Sequence, residues 1–222
     1  MTVIVERIIH SKRKTIGLIV EPDGSVTVRA PQRMSEKTIR EFVEGHAKWV
    51  ERKQAEIRTA IPEQSKQYRP GENFLYLGKI YPLEVVKDQK RKLVLEDCFK
   101  LAESVQENAE LIFRNWYRRQ VGQMIEERVV FFAGRYQLQY EKIRITSART
   151  RWGSCSAKGV LSFSWRLIMT PVEVVDYVVI HELVHTIHHN HSKSFWKTVE
   201  KLLPDYRKHR KWLRQNGQHM IL

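Results

Sequence analysis

One six-residue segment, Ile180 to His185, constrains the fold of this 222-residue chain more than any other, because it contains the pattern H-E-x-x-H. Histidines at positions i and i+4 lie on one face of an α-helix, so the imidazoles of His181 and His185 can reach the same metal ion. Glu182 is placed to take a proton from a water bound to that ion. Chance alone produces this pattern in about three of a hundred such chains, and a surface helix can carry it without a metal.

The residues before the motif predict a buried helix. Thr170 is a capping residue, Pro171 suits the first helical position, and Glu173 lies three residues after the cap. The run from Val174 to Ile180 is apolar nearly all round, which is typical of a core helix, although such a run can also form a strand. The cap and the length favour the helix. Ionisable groups inside it would cost several kcal/mol if unpartnered, so a metal is the simplest partner.

A third metal ligand has four candidates, which are His188, His189, His191 and Glu200. His191 is favoured because it follows His185 by six residues, enough for the chain to leave the helix, turn and point back at the metal. Glu200 is the main rival, since many metallopeptidases take a carboxylate from the next helix. His188 and His189 are typical of solvated helix ends, where a positive charge complements the dipole. His188 could instead face the site and polarise a substrate carbonyl.

Local signals support the turn that His191 requires. Asn190 tolerates the left-handed backbone conformation, which suits it to a turn. Ser192 can cap a following helix that contains Phe195 and Trp196 and is ended by Pro204. The sequence therefore predicts a helix, a turn with His191, and a second helix.

The segment from Arg151 to Ser156 lies upstream of this helix and combines charge, an aromatic ring and a glycine. Gly153 permits close backbone approach, and Trp152 offers a large apolar surface. Arg149 and Arg151 could bind a carboxylate or phosphate or stabilise an oxyanion. We expect the segment to border the metal cleft, with simple packing of Trp152 and Cys155 as the alternative. Cys155 acting as a nucleophile with a histidine is a weaker interpretation.

Three motifs together resemble those of the YgjP-like family of predicted zinc metallopeptidases, which is related to the SprT-like proteases. They are R-W-G-S-C-S at 151–156, H-E-L-V-H at 181–185, and N-H-S-K-S-F-W at 190–196. The resemblance spans roughly residues 143 to 213 and is much more specific than H-E-x-x-H alone. It implies metal ligands at His181, His185 and His191, with Glu182 as the catalytic acid/base.

Composition sets further bounds. A hydrophobic fraction of 42% is typical of a folded globular protein, and no apolar run has the length that a membrane helix needs. The first residues lack a signal-peptide core, and the two cysteines form no metal-binding pair, so we expect a cytoplasmic protein. The formal net charge is +14, which suggests an anionic or phosphorylated substrate or, less favoured, nucleic acid.

Periodicity predicts an α+β chain with two domains. Residues 1–107 are expected to form a mostly antiparallel β region with one helix, including a hairpin whose turn contains Asp23 and Gly24. Residues 108–222 are expected to form a compact zincin-like catalytic domain. It begins with an amphipathic helix that Gly134 would end, and it contains the H-E-x-x-H helix.

These patterns favour a zinc-dependent hydrolase, most simply a metallopeptidase acting on peptides or proteins, with one zinc ion as cofactor. Nickel is an alternative occupant of a purified sample, because imidazole also suits that metal. Two other functions stay open. One is a metal-dependent hydrolase of a phosphorylated small molecule such as a nucleotide, and the other is a nucleic-acid-associated binding module or protease.

Overall fold

Runs of strands are followed by runs of helices along the chain, which is an α+β arrangement, as the sequence predicts. The computed structural model describes residues 3–21, 24–59, 66–217 and 220. The chain divides into two compact units, Met1–Ser65 and Lys66–Leu222. Among the described strands of residues 1–107, three of the five pairings are antiparallel, which agrees with the prediction of a mostly antiparallel region.

The first unit contains a three-stranded sheet and two helices. Its elements are β1 (Arg7–Ser11), β2 (Gly17–Val20), β3 (Val26–Pro31), α1 (Glu36–Gly45) and α2 (Ala47–Thr59). β2 and β3 pair antiparallel, which confirms the predicted hairpin, although Pro22 and Asp23 of its turn lie outside the described residues. β1 pairs parallel with β3. The one helix predicted for residues 1–107 is divided in two at His46, and the Ser35 hydroxyl caps α1 by accepting from the Thr38 amide.

A four-stranded sheet opens the second unit and packs on its longest helix. The strands are β4 (Asn73–Tyr76), β5 (Lys79–Val86), β6 (Leu93–Leu95) and β7 (Phe99–Ala102), in the order β4-β5-β7-β6, and the helix is α3 (Ala109–Tyr136). Phe74 of β4 stacks on Phe113 of α3 with ring centroids 4.3 Å apart, and Phe99 of β7 packs against the same ring at a tilt, with centroids 5.1 Å apart. The division between compact units therefore differs from the predicted boundary at 107/108, because this sheet shares its core with α3.

Next along the chain comes a three-stranded sheet in the order β8-β10-β9. Its strands are β8 (Lys142–Thr146), β9 (Gly153–Cys155) and β10 (Val160–Ser164). β10 is central, parallel to β8 and antiparallel to β9. Leu161 and Phe163 of β10 are fully buried, so one face of this sheet covers the core and the other faces outward.

Three helices complete the second unit: α4 (Val172–Val184), α5 (Lys193–Leu202) and α6 (Tyr206–Asn216). α4 is buried nearly all round, as its composition predicts. Asp176 of α4 accepts two hydrogen bonds from Arg128 of α3, at 2.5 and 2.6 Å, which fixes the two helices in register. Ser192 caps α5 by accepting from the Phe195 amide, which confirms the predicted start of that helix.

Candidate metal centre

α4 and the turn after it bring three histidines together. His181 lies in the last turn of α4 and His185 directly follows the helix, so their rings project from the same side. Asn190 accepts a hydrogen bond from the Ser192 amide, and this turn directs His191 back toward α4. The Nε2 atom of His191 lies 3.0 Å from that of His181 and 3.1 Å from that of His185.

The triad fits a tetrahedral metal ion. Its three donor nitrogens lie within 4.8 Å of one another. Ligands 2.0–2.1 Å from zinc at tetrahedral angles are separated by about 3.3 Å, close to the two distances above. The pattern of hydrogen bonds agrees, because the Nδ1 atom of His185 is 2.9 Å from the His188 carbonyl and can donate to it, which leaves Nε2 unprotonated for a metal.

The electrostatics of the triad favour neutral imidazoles, the form that binds metals. Burial, together with the charges of His185 and His191, lowers the pKa of His181 to about 3. Burial also lowers the pKa of His185. The Nδ1 atom of His181 is buried without a hydrogen-bond partner among the described atoms, which costs free energy. A bond from the Nε2 atom of the same ring to a metal ion would offset that cost.

Aromatic rings from α5 form the wall behind the triad. The ring of Phe195 is fully buried, and its centroid lies 4.4 to 4.9 Å from those of all three histidines. Trp196 stacks on His191 at 5.6 Å and contacts His181 at 5.7 Å. These contacts restrict the imidazole rotamers and so hold the three rings in place.

Glu182 is 95% buried and lies in α4 between His181 and His185 in sequence, beside β9. Burial raises the pKa of its carboxyl to about 8, and the nearby charge of Arg151 acts in the opposite direction. A dication held by the three histidines would act in the same direction as Arg151 and favour the carboxylate.

Gly153 explains how a strand can approach this carboxylate. A Cβ atom added at Gly153 would lie 2.5 Å from the Oε1 atom of Glu182 and 2.6 Å from its Cγ atom. No side chain fits in that space without displacing Glu182, so the glycine is required by packing rather than by its backbone angles. The sequence placed Gly153 near the metal helix, and the structure brings it into contact with that helix.

Gly153→Ala should therefore displace the Glu182 carboxylate. We expect overpacking to cost about 1–3 kcal/mol of stability and the misplaced base to lower kcat on the order of 10²-fold. Thermal unfolding and steady-state kinetics measure the two effects. Gly134→Ala is the matched control, because its Cβ would meet nothing within 4 Å inside α3, and it should stabilise by about 0.5–1 kcal/mol with activity unchanged. Equal activity of both variants would contradict the close-contact role.

β9 also presents a free edge beside Glu182. The Trp152 carbonyl accepts a hydrogen bond from the Ser164 amide at 2.8 Å, and the Ser156 amide donates one to the Val160 carbonyl at 3.0 Å. Because hydrogen-bonded residues alternate along an antiparallel strand, the main-chain groups of Gly153 and Cys155 point to the opposite edge. Among the described strands, β9 pairs only with β10. An extended chain could add to that edge.

The other residues predicted to bind substrate differ in burial and in their contacts. Trp152 is half-buried and packs on Gly217, whose added Cβ would lie 2.8 Å from the indole. Arg151 is exposed but close enough to Glu182 to affect its pKa. Arg149 is exposed on the loop before β9. The ring of His188 contacts the Thr198 hydroxyl at 3.1 Å, and its carbonyl is the group that supports His185.

The competing assignments are not supported by the geometry. Glu200 forms an ion pair with Arg207 at 3.1 Å and is not part of the histidine cluster. The Cys155 thiol contacts the Ser156 carbonyl, and burial followed by the nearby charge of Glu182 raises its pKa. Both effects disfavour the thiolate that a cysteine nucleophile needs.

One residue at the site was missed from the sequence. The guanidinium of Arg210 on α6 lies 4.5 Å above the ring of Trp196, and its charge contributes to lowering the pKa of His181. In the sequence this arginine is one of several closely spaced cations between Arg207 and Arg214, a pattern typical of a solvated helix face. Arg210 follows Tyr206 by four residues, so both side chains lie on the same face of α6. Tyr206 also stacks on Trp196, at 5.4 Å, and this spacing is the sequence signal that could have located Arg210 at the site.

Comparison with known protein families matches residues 14–216, which are most of the chain, to the family model described as the YgjP-like metallopeptidase domain. The chain belongs to the YgjP-like family. This YgjP-like protein therefore carries a metallopeptidase domain, and its family implies a divalent metal ion and a peptide or protein substrate. The family match extends through both compact units.

Two solved structures are similar to this YgjP-like chain. The metallopeptidase zymogen abylysin of Pyrococcus abyssi is 23% identical, with 41% of this chain and 93% of that one covered and a TM-score of 0.38. A mutant of Wss1 from Saccharomyces cerevisiae is 14% identical, with 61% and 94% covered and a TM-score of 0.33. No curated protein matches the chain. Within the described residues, none of the helices combines the length and apolar character needed to cross a bilayer.

Proposed function

We propose that this YgjP-like protein is a zinc-dependent metallopeptidase in which His181, His185 and His191 hold the ion and Glu182 is the general base and acid. The observation that carries the proposal is the convergence of three imidazole Nε2 atoms next to a buried glutamate. Nitrogen donors at this spacing suit zinc, and three protein ligands leave one position for water or substrate, as in catalytic rather than structural sites.

The chain's own residues supply the proton transfers and the positioning. Bound zinc would supply Lewis acidity that activates water and polarises a carbonyl. A Glu182 carboxylate oxygen accepts the proton from the attacking water and then delivers it to the leaving nitrogen of the cleaved peptide bond. Phe195 and Trp196 keep the histidine rings fixed.

Substrate binding is assigned to the free edge of β9. Main-chain groups of Gly153 and Cys155 can pair with an extended peptide, which places its backbone beside Glu182. Because such pairing uses main-chain hydrogen bonds, we expect the protein to accept many different side chains on either side of the cleaved bond. Among the residues predicted to bind substrate, Arg151 is the cation whose charge acts on the Glu182 carboxyl.

Metal analysis joined to a peptide screen tests this function. We expect about one zinc per chain after purification in zinc-containing buffer, hydrolysis of unstructured peptides, loss of hydrolysis with a chelator and recovery on adding zinc. Nickel in an untreated sample would not contradict the proposal, because imidazole also binds nickel. A zinc-loaded protein that cleaves no peptide would contradict it.

Hydrolysis of a phosphorylated small molecule is the second candidate, and one observation favours it. Arg151 lines a surface groove together with Lys142, Arg144 and Lys158, and no carboxylate lines it. Arg151→Lys should impair phosphate-ester or anhydride hydrolysis because the planar fork is lost, whereas Arg149→Lys, outside the groove, should not. Release of phosphate or pyrophosphate from nucleotides by the zinc-loaded protein would replace the first candidate with the second.

A further inference from the structure

The outward face of the β8-β10-β9 sheet is polar and cationic. In the pairing register, Lys142 is opposite Val160, and Arg144, Ser162 and Ser154 form one row across the three strands. Alternate residues of β10 are buried, so this row lies on the opposite face from the core. Nothing in the proposed catalytic steps uses this face.

A groove of about 560 Å³ runs over this face, and we call it the cationic groove. Its lining residues are Lys142, Arg144, Arg151, Ser154, Cys155, Ser156, Lys158, Val160 and Ser162. Four of them are cations, and none is a carboxylate. Within the part of the chain that the structure describes, no carboxylate lies within 4 Å of these four charged groups. Unbalanced charge of one sign favours an anionic ligand.

The cationic groove and Glu182 lie on the two faces of one strand, β9. Arg151, which lines the groove, lies two residues before Gly153. Ser154 faces the groove from β9, while its neighbour Gly153 contacts Glu182. A substrate paired with β9 would therefore have the groove within reach of its flanking residues.

The spread of the cations indicates the shape of the ligand. β8 and β9 are separated by two strand spacings, about 10 Å, and cations line the groove on both sides. An extended ligand with several negative charges can pair with more of these cations at once than one small oxyanion can. The lining contains no aromatic side chain on which a nucleobase could stack, which favours an acidic polypeptide over a nucleic acid.

We propose that the cationic groove is an exosite that binds an acidic segment flanking the cleaved bond of a protein substrate. This inference rests on the proposed peptidase function and names its substrate class. Arg144 and Lys158 determine the preference without contacting the reacting atoms. Each exposed ion pair contributes less than about a fivefold effect, so several together should give about a tenfold preference.

Cleavage of matched peptides by the zinc-loaded full-length protein tests the exosite. Each peptide has the same neutral cleaved segment and carries a tail of glutamates or of glutamines, before or after that segment. We expect kcat/KM for a glutamate-tailed peptide to exceed that of its glutamine match about tenfold. The double variant Arg144→Glu/Lys158→Glu should abolish the preference and leave cleavage of glutamine-tailed peptides unchanged. The control Lys79→Glu/Lys90→Glu makes the same change in charge outside the groove and should retain the preference.

Binding measurements separate this inference from the proposed function. Fluorescence anisotropy with the Glu182→Gln protein reports peptide affinity without turnover. If no peptide is cleaved but glutamate-tailed peptides bind and the groove variant does not bind them, the exosite stands and the peptidase proposal fails. Cleavage of both tails at equal rates, or equal loss of preference in the control variant, overturns the exosite. Preferential binding of a single-stranded oligonucleotide or of inorganic triphosphate, lost in the groove variant, also overturns it.

Discussion

Glu182→Gln should lower kcat by about two to four orders of magnitude while zinc remains bound, the usual range for loss of a general acid–base. Glutamine has nearly the same shape as the buried carboxyl, so the packing against Gly153 is preserved and only the proton-exchanging group is lost. Peptide hydrolysis and metal content are measured on the same preparation. Both are required, because loss of zinc would also abolish activity.

Glu173→Gln provides the matched control for this change. It makes the same substitution in the first turn of the same helix, where the side chain is exposed and distant in sequence from the ligands. Its activity should stay within about twofold of the wild type, since only a weak helix-dipole interaction is lost. If Glu182→Gln kept more than about a tenth of the activity with zinc bound, another group would have to be the base.

The candidate site could be predicted from sequence because its geometry is largely local. His181 and His185 are placed by one helical turn, and the path to His191 is set by the Asn190 turn and the Ser192 cap. Each of these depends on contacts between residues fewer than seven positions apart. Short-range chemistry of this kind is directly visible in a sequence.

Helix ends were predicted less well because tertiary contacts decide them. The sequence predicts Thr170 as the cap of α4, but Pro171 occupies that position. The Thr170 hydroxyl instead donates to the Leu167 carbonyl and ends a short 3-10 helix. Gly134 was expected to end α3, but the helix continues to Tyr136.

Packing explains why α3 continues past its glycine. The helix ends where Gln137 adopts a left-handed conformation, with φ of 54°, and the Leu138 amide donates to the Ala133 carbonyl. Leu138 is then buried in the core, so burial of the following residue fixes the end. A glycine within a helix costs only about 0.5–1 kcal/mol, which such burial easily exceeds.

Contacts between distant segments were not predictable from periodicity. The packing of β4 to β7 against α3 joins residues from both sides of the predicted boundary at 107/108, and the sheet's strand order is not encoded in any local pattern. Arg210 reaches the wall of the site only because α6 packs over Trp196. The close approach of Gly153 to Glu182 likewise needs the fold, although the glycine itself was a correct signal.

His191→Ala should weaken zinc binding by more than about 100-fold, because even residues that only support metal ligands change affinity by about 10–100-fold. At a zinc concentration a thousandfold above the wild-type Kd, this loss removes about 2.7 kcal/mol of zinc-dependent stabilisation. For a chain of this size the difference corresponds to roughly 5–11 °C in Tm. Zinc titration and thermal unfolding, each with and without zinc, measure both effects.

Two variants test whether this effect belongs to His191 alone. His189→Ala removes an exposed neighbouring histidine, and Glu200→Gln removes the rival carboxylate, which pairs instead with Arg207. Both should bind zinc as the wild type does, since neither residue belongs to the cluster of converging nitrogens. In zinc-free buffer all three variants should unfold within a few degrees of the wild type, which separates metal loss from damage to the fold. Loss of zinc from Glu200→Gln but not from His191→Ala would transfer the third ligand to α5, and the proposed geometry of the site would then be wrong.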